Sequence, residues 1–496
     1  MSLIINLKKV LWRWGLAAAF LGAASGCMPG PGYVNFIVMT PVPTATAQPT
    51  EVTAFPQRPH YQPGELVDYT AQSGDDLPLL AIRFNTTIDQ IRAANPSIPL
   101  DVTTLPPGMP MQIPIYYVPL WGPSYQIIPD SLFVDGPVQS GFDTQAFINA
   151  HPGWLKTISQ FAFDGTRTAG EIIDYIAINY SISPRLLLAL LDYQGGALTL
   201  DSVSQDAIDY PLGYRSESYK GLYLQLNWAA NLLNNNYYAY RSGGLTSFTH
   251  LDGTLERPDP WQNAATVTLQ YYFSTLYDTN IYLRTVSSDG LAHTYLTLFG
   301  DPWQDVQAVM PGNLRQPELR LPFQPNQVWA FTGGPHTNWG DGPPLTSLDF
   351  APPTDIASCD MSPLWATAVA DGVVARTDVG TVVLDLDGDG DERTGWVIFY
   401  LHLAAKDRVS VGAKLKAGDP IGHPSCEGGH ATGTHVHIAR KYNGEWVAAD
   451  GVLAFNLDGW IAHNGAEAYL GTLVRNDKIV TACTCSDPGT HIQQGK

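Results

Sequence analysis

A strand over residues 67–72 leads into Ser73-Gly74-Asp75, a turn, and the period of the apolar positions then changes. Leu77, Leu80, Ala81 and Phe84 fall three and four residues apart, one face of a helix. Thr87 and Gln90 have the spacing of a capping box for a second short helix through Ile91, which Asn95-Pro96 stops. Met111, Ile113 and Ile115 alternate as a closing strand. Over 130–325 the period is helical. Thr168 and Glu171 form a capping box before Ile172, Ile173 and Ile176, and Ser183-Pro184 opens a helix whose Leu186–Leu191 stretch is apolar all round. Further helices fall near 222–233 and 267–273. Beyond 326, short alternating strands take over at 367–377, 380–386, 396–403 and 434–438. The pattern predicts a multidomain chain: a small βααβ module at 67–116, a mainly α domain at 117–325, an all-β domain with an antiparallel sheet at 326–475, and a tail at 476–496.

Composition narrows the function classes. Of 496 residues 45% are apolar and 15% charged, enough to bury several cores. Lys plus Arg is 27 against 46 acidic residues, a net charge of −19, which argues against a nucleic-acid partner because phosphates are neutralised by Lys and Arg. Lys8, Lys9 and Arg13 precede an apolar run over 14–24 and then Ser25-Gly26-Cys27, the order of a secretory signal. Small residues before a Cys resemble a bacterial lipobox, with Ala24 where Leu is usual, so residues 1–27 read as a lipoprotein signal and Cys27 as the lipid anchor. Residues 28–66, with eight Pro and little charge, read as a tether. Four other cysteines remain, and four allow three pairings. Cys359 with Cys426 is the expected pair, leaving Cys483 and Cys485 joined or free.

The βααβ order, with Tyr69-Thr70, Ser73-Gly74-Asp75 and an Asn-Pro after the second helix, resembles the LysM module. That implies a shallow groove beside the helix-opening loops that binds N-acetylglucosamine-containing glycan. The stretch 182–191 resembles the catalytic-helix opening of lysozyme-like lytic transglycosylases, in which a Glu general acid follows. Gln194 holds that place here and cannot deliver a proton to a glycosidic oxygen, so the resemblance implies at most an inactive relative. A plain helical spacer fits the same residues.

Three histidine segments lie in the β region. Gly333-Gly334-Pro335-His336 is followed thirteen residues later by Asp349 in Ser347-Leu348-Asp349-Phe350. His402 closes a strand in which even positions share a face, so Tyr400 and His402 are expected to look out together. Thr434-His435-Val436-His437 places two imidazoles on one strand face about 7 Å apart. Two imidazoles and a carboxylate with an open fourth position describe a catalytic zinc site. Extra histidines can shuttle protons. Asp385, Asp387 and Asp389 imitate the start of a calcium loop, but the twelfth position is Trp396, so the stretch reads first as an acidic hairpin tip.

In these glycine-rich contexts the segments resemble the lysostaphin-type zinc endopeptidases of bacterial cell walls, and most closely their β-lytic branch. The resemblance covers 326–450. It implies Zn²⁺ held by His336, Asp349 and His437. It makes His402 and His435 the catalytic pair, one of them the general base, in a groove on an antiparallel sheet. A tyrosine near the oxyanion is a family feature, with Tyr400 and Tyr442 as candidates. The implied function is hydrolysis of stem or cross-bridge peptides of peptidoglycan, at the cell envelope and under LysM targeting. A second reading is a non-enzymatic peptidoglycan-binding or amidase-activating envelope protein. Degenerate relatives of that kind have lost ligands, whereas every ligand position is filled here.

Overall fold

The structure, a computed structural model, describes residues 60–494 except 120, 164, 305, 354–357 and 486. The export signal, Cys27 and most of the tether lie outside the described residues.

In the first module β1 (Glu65–Thr70) is followed by α1 (Leu77–Arg83), α2 (Ile88–Ala94) and β2 (Pro110–Ile115), and β1 and β2 pair antiparallel. Leu80, Phe84, Ile91, Ile113 and Ile115 are fully buried between the helices and the two strands. Asp76 caps α1 by accepting from the Leu79 amide at 2.7 Å. Thr87 caps α2, but the Gln90 carboxamide turns to Thr86 and Tyr116 instead of closing the reciprocal half of the box. Residues 65 and 66, expected in the tether, belong to β1.

The middle region comprises α3 (Thr144–Asn149), a hairpin of β3 (Ser159–Ala162) and β4 (Gly165–Thr168), α4 (Ala169–Tyr180), α5 (Pro184–Gly195), α6 (Gln205–Asp209) and α7 (Leu222–Arg241). A short hairpin of β5 (Phe248–Thr249) and β6 (Leu255–Glu256) precedes α8 (Ala264–Ser274), α9 (Thr279–Thr285) and α10 (Leu291–Phe299). The Thr168–Glu171 capping box is complete at α4. Leu186–Leu191 of α5 are fully buried, as an all-apolar turn requires. Helix α7 runs to Arg241, beyond the expected 233, because Tyr237 and Tyr240 continue the buried face of Leu226, Ala230 and Leu233. Among the described residues no helix is long and apolar enough to cross a membrane.

The C-terminal region contains β7 (Val328–Thr337), β8 (Leu345–Ala351), β9 (Ala366–Thr367), β10 (Gly372–Asp378), β11 (Thr381–Asp385), β12 (Trp396–Leu401), β13 (Lys414–Leu415), β14 (Pro420–Gly422) and β15 (Val436–Tyr442). After these come β16 (Glu445–Trp446), β17 (Asn456–Leu457), β18 (Trp460–Asn464), β19 (Gly471–Arg475), β20 (Lys478–Thr481) and β21 (His491–Gln493). The main sheet runs β13-β10-β11-β12-β15-β8-β7-β21, and β17-β18-β19-β20 form a second sheet. Two expectations change. The strand expected over 367–377 is two strands, β9 and β10, in different sheets. The expected tail also folds: Val480 and Ile492 are buried, β20 closes the second sheet and β21 is the edge strand beside β7. Those stretches are too short to announce a period.

Both faces of the main sheet are covered. Val382, Leu384, Ile398, Tyr400, Val436 and Ile438 pack in the core of the β region. Val383, Val397, Phe399, Leu401 and Ala439 point the other way, into the core of the helical region. The loop between β7 and β8 is tied to α7, where the Asp341 amide donates to Asn231 at 2.8 Å and Asn234 donates to the Pro343 carbonyl at 3.4 Å. The two disulfides are Cys359–Cys426 and Cys483–Cys485.

Candidate metal centre

Three neighbouring strands bring the site together. His437 of β15 is the register partner of Asp349 on β8, and His336 of β7 is the partner of Ser347, two residues from Asp349. All three therefore project from one face, the face that carries Leu401 and Ala439 toward the helices. Strand β7 is irregular here, with register shifts between Phe331 and Thr337. The two glycines before His336 have separate steric reasons. A Cβ at Gly333 would lie 2.4 Å from Asp349 Oδ2, and one at Gly334 would lie 2.7 Å from backbone atoms of Leu470. A side chain at either would displace the carboxylate or the neighbouring hairpin.

The atoms that face one another are His336 Nε2, His437 Nδ1 and Asp349 Oδ1. Their separations are 3.0 Å between the imidazoles, 3.1 Å from His437 to Asp349 and 3.3 Å from His336 to Asp349. Each imidazole has its other nitrogen committed. His336 Nδ1 donates to the Gly334 carbonyl at 2.7 Å, and His437 Nε2 donates to Asn338 Oδ1 at 3.0 Å. In the neutral rings the inward nitrogens are then lone pairs, so three acceptors converge with no donor between them. A cation resolves that arrangement. Zinc bonds of 2.0–2.1 Å put tetrahedral ligands about 3.3 Å apart, so the donor set and its spacing both fit zinc.

Electrostatics follow from burial and from this grouping. Burial favours the neutral acid at Asp349, but His336 and His435 hold its carboxyl well below the usual range. Burial brings the His437 imidazolium down to about 4, with Asp349 working against it. At His336 burial also lowers, and Asp349 outweighs it, raising the group, so proton and cation compete for one lone pair.

His402 and His435 stand beside the triad, their rings 4.5 Å apart. His435 Nε2 lies 3.6 Å from Asp349 Oδ1. Both donate Nδ1–H to backbone carbonyls, His402 to Glu427 at 3.1 Å and His435 to Gly433 at 2.7 Å, which leaves Nε2 unprotonated on each neutral ring. Burial, then His435 and His437, pull the His402 imidazolium to about 3. The Cys359–Cys426 bond supports both histidines. Glu427 follows Cys426, and Ser358, next to Cys359, accepts from the Thr434 amide and hydroxyl at 2.8 and 2.9 Å.

The tyrosine expectations fail. Tyr400 is fully buried in the β core and accepts the Val369 amide at 2.9 Å. Strand alternation stops at Leu401, and His402 has φ +66°, a left-handed turn that swings its ring to the face opposite Tyr400. Tyr442 lies at the far end of β15 against Trp396, five residues beyond His437. The tyrosine at the site is Tyr469, whose ring stacks on His336 at 4.1 Å and is 50% exposed. Its amide donates to the Pro335 carbonyl and its own carbonyl accepts from Gly334. No local motif marks it. Asp385, Asp387 and Asp389 also cluster, but the Asp385 carboxylate is used by the turn, accepting from the amides of Asp387, Gly388 and Gly390.

Residues 69–114 match the LysM domain family, and residues 126–313 match the family described as LasA, N-terminal domain. The latter match spans the stretch whose α5 resembles a lytic transglycosylase. Over 342 residues the chain is 25% identical to protease LasA of Pseudomonas aeruginosa, covering 65% of this chain and 75% of that protein. Over 152 residues it is 30% identical to the β-lytic metalloendopeptidase of Achromobacter lyticus, 29% of this chain and 37% of that one. Among solved structures, the deep-sea M23 metalloprotease pseudoalterin matches at 23% identity and a TM-score of 0.29, over 34% of this chain and 96% of that chain.

Proposed function

We propose that this chain, a LysM-bearing relative of LasA and the β-lytic metalloendopeptidases in the lysostaphin-type family, is a zinc endopeptidase that hydrolyses stem or cross-bridge peptides of peptidoglycan. The observation that carries the reading is the convergence of His336 Nε2, Asp349 Oδ1 and His437 Nδ1 within 3.0–3.3 Å. These three side chains would hold the ion. Bound Zn²⁺ supplies a Lewis acid for a peptide carbonyl and lowers the pKa of water to about 7, giving a nucleophile at neutral pH.

The chain's own groups handle the protons. The unprotonated Nε2 of His402 or His435 accepts a proton from the attacking water, and the imidazolium so formed delivers that proton to the leaving amine nitrogen. Backbone carbonyls at Gly433 and Glu427 hold both rings in the tautomer this requires. Tyr469, half-exposed on His336, is the tyrosine an incoming peptide reaches.

The place of action is outside the cytoplasm, at the cell wall. Lipid anchoring through Cys27 belongs to the same reading, supported by the basic start, the apolar run and the small residues before that cysteine. The middle region is read as an accessory domain without glycosidase activity, because Gln194 is locked by Leu212, Tyr272 and Tyr277 and offers no acid.

Mass spectrometry of muropeptides after digestion of purified sacculi tests the activity. New amino termini that disappear under chelation are expected. New reducing ends would make it a glycosidase, and an unchanged profile would leave only a binding protein.

A further inference from the structure

Residues 309–315 join the helical region to the first core residues of the β region, Leu319, Leu321 and Phe323. On the way they cross the LysM module between two loops: the turn at 71–76 that opens α1, and residues 101–106 ahead of β2. The crossing is hydrogen-bonded almost atom by atom. The Met310 amide donates to Ser73 Oγ at 2.8 Å, and Ser73 Oγ faces the Met310 carbonyl at 3.4 Å. Thr104 Oγ1 donates to the Pro311 carbonyl at 2.7 Å and accepts the Leu314 amide at 2.9 Å. The Asn313 amide donates to the Thr104 carbonyl at 2.7 Å, and Thr103 Oγ1 donates to the Leu314 carbonyl at 2.6 Å. Arg315 closes on Asp101 at 2.7 and 2.8 Å. Between these bonds Gly312 lies flat on Pro106, where a Cβ would come within 2.6 Å of the proline Cα.

The crossing also ties the three regions together. The Val309 carbonyl accepts from Asn443 Nδ2 at 2.8 Å, in the turn after β15. Arg241, at the end of α7, donates to the Ser73 carbonyl and pairs with Glu445 of β16 at 2.6 Å, both side chains buried.

The hydroxyls of Ser73, Thr103 and Thr104 and the Thr104 carbonyl are thus spent on peptide N–H and C=O groups. An N-acetylglucosamine unit presents the same chemistry, because its acetamido group is itself an amide with one donor and one acceptor. We propose that residues 309–315 are an internal occupant of the LysM groove, so that a β-1,4-linked N-acetylglucosamine chain and this strap compete for the same loops. The inference rests on the glycan reading of the LysM module and goes beyond it. Glycan enters as the strap leaves, and strap release loosens the LysM module from the helical and β regions.

The test uses the whole chain and the N-acetylglucosamine hexamer as probe. Gly312→Val pushes the strap off Pro106 without altering either loop, and it should bind the hexamer at least tenfold more tightly than wild type by calorimetry. In wild type, which raises no folding question, saturating hexamer should speed hydrogen exchange at the Met310, Asn313 and Leu314 amides at least tenfold. Equal hexamer affinity in both chains, with those amides unchanged or more protected, overturns the competition and leaves the glycan reading standing. No hexamer binding by either chain overturns the glycan reading, and the competition with it.

Discussion

His437 hands its Nε2–H to one acceptor, Asn338 Oδ1 at 3.0 Å, and the residue is 4% exposed. Asn338→Ala therefore leaves a dry, unpaired N–H. A buried donor stripped of its partner costs about 1–3 kcal/mol. The ring can escape by moving its proton to Nδ1, but that removes the lone pair facing His336 and Asp349. Either way the penalty falls on cation binding, as a loss of zinc affinity of roughly 5–150-fold. Outer partners of metal-bound histidines are typically worth about 10–100-fold, which falls within that range. Asn338→Asp is the control. The Asn338 Nδ2 is buried without a partner, so an oxygen in its place removes no hydrogen bond and the acceptor for His437 stays. Competition against chelators of graded strength reads the affinity, and circular dichroism checks the fold. Asn338→Ala should fall by at least about fivefold, while Asn338→Asp holds or exceeds the wild-type value. Wild-type affinity in Asn338→Ala, or an equal loss in both variants, would refute the tautomer argument.

Three further outcomes follow from the geometry. His402→Ala and His435→Ala should keep one zinc per chain while turnover falls about 10²–10⁴-fold; full turnover in either removes that ring from proton transfer. Cys359→Ser with Cys426→Ser frees the loops that hold His402 through Glu427 and Thr434 through Ser358, so kcat should fall with zinc content unchanged. Glu392, buried between Arg376 and Lys441, is held at about 2 from an unfolded 4.5, because those cations outweigh burial. Its ionised form thus contributes about 3 kcal/mol above pH 4.5, lost as pH falls through about 2. The stability gap between wild type and Glu392→Gln in urea unfolding should shrink across that window; a pH-independent gap contradicts the assignment.

The set His336, Asp349 and His437 was legible through the resemblance of its motifs to the lysostaphin-type family, since its members lie on three strands and span 101 residues of chain. Alternation fixes the face of His437, and tight glycines before His336 mark a strand pressed against its neighbour. What stayed hidden depends on breaks in regularity or on contacts across the fold. Alternation alone puts Tyr400 beside His402, and only the left-handed backbone at His402 separates them. Tyr469 reaches His336 from a different sheet, more than a hundred residues on, and Asn338 sits in a loop without periodicity. The LysM module and the helices were readable from period and caps. Their joint with the β region was not: Arg241 and residues 309–315 look ordinary until docking gives them hydrogen-bond partners. The same holds for β20 and β21, whose few apolar residues gain meaning only as edges of sheets already formed.

The most direct measurement is an anomalous-difference map at the zinc edge from crystals of the zinc-loaded chain. One peak is predicted, about 2.0–2.2 Å from each of His336 Nε2, Asp349 Oδ1 and His437 Nδ1, absent in His437→Ala. A peak that misses any of these three atoms, or none after loading, would contradict the account at its root.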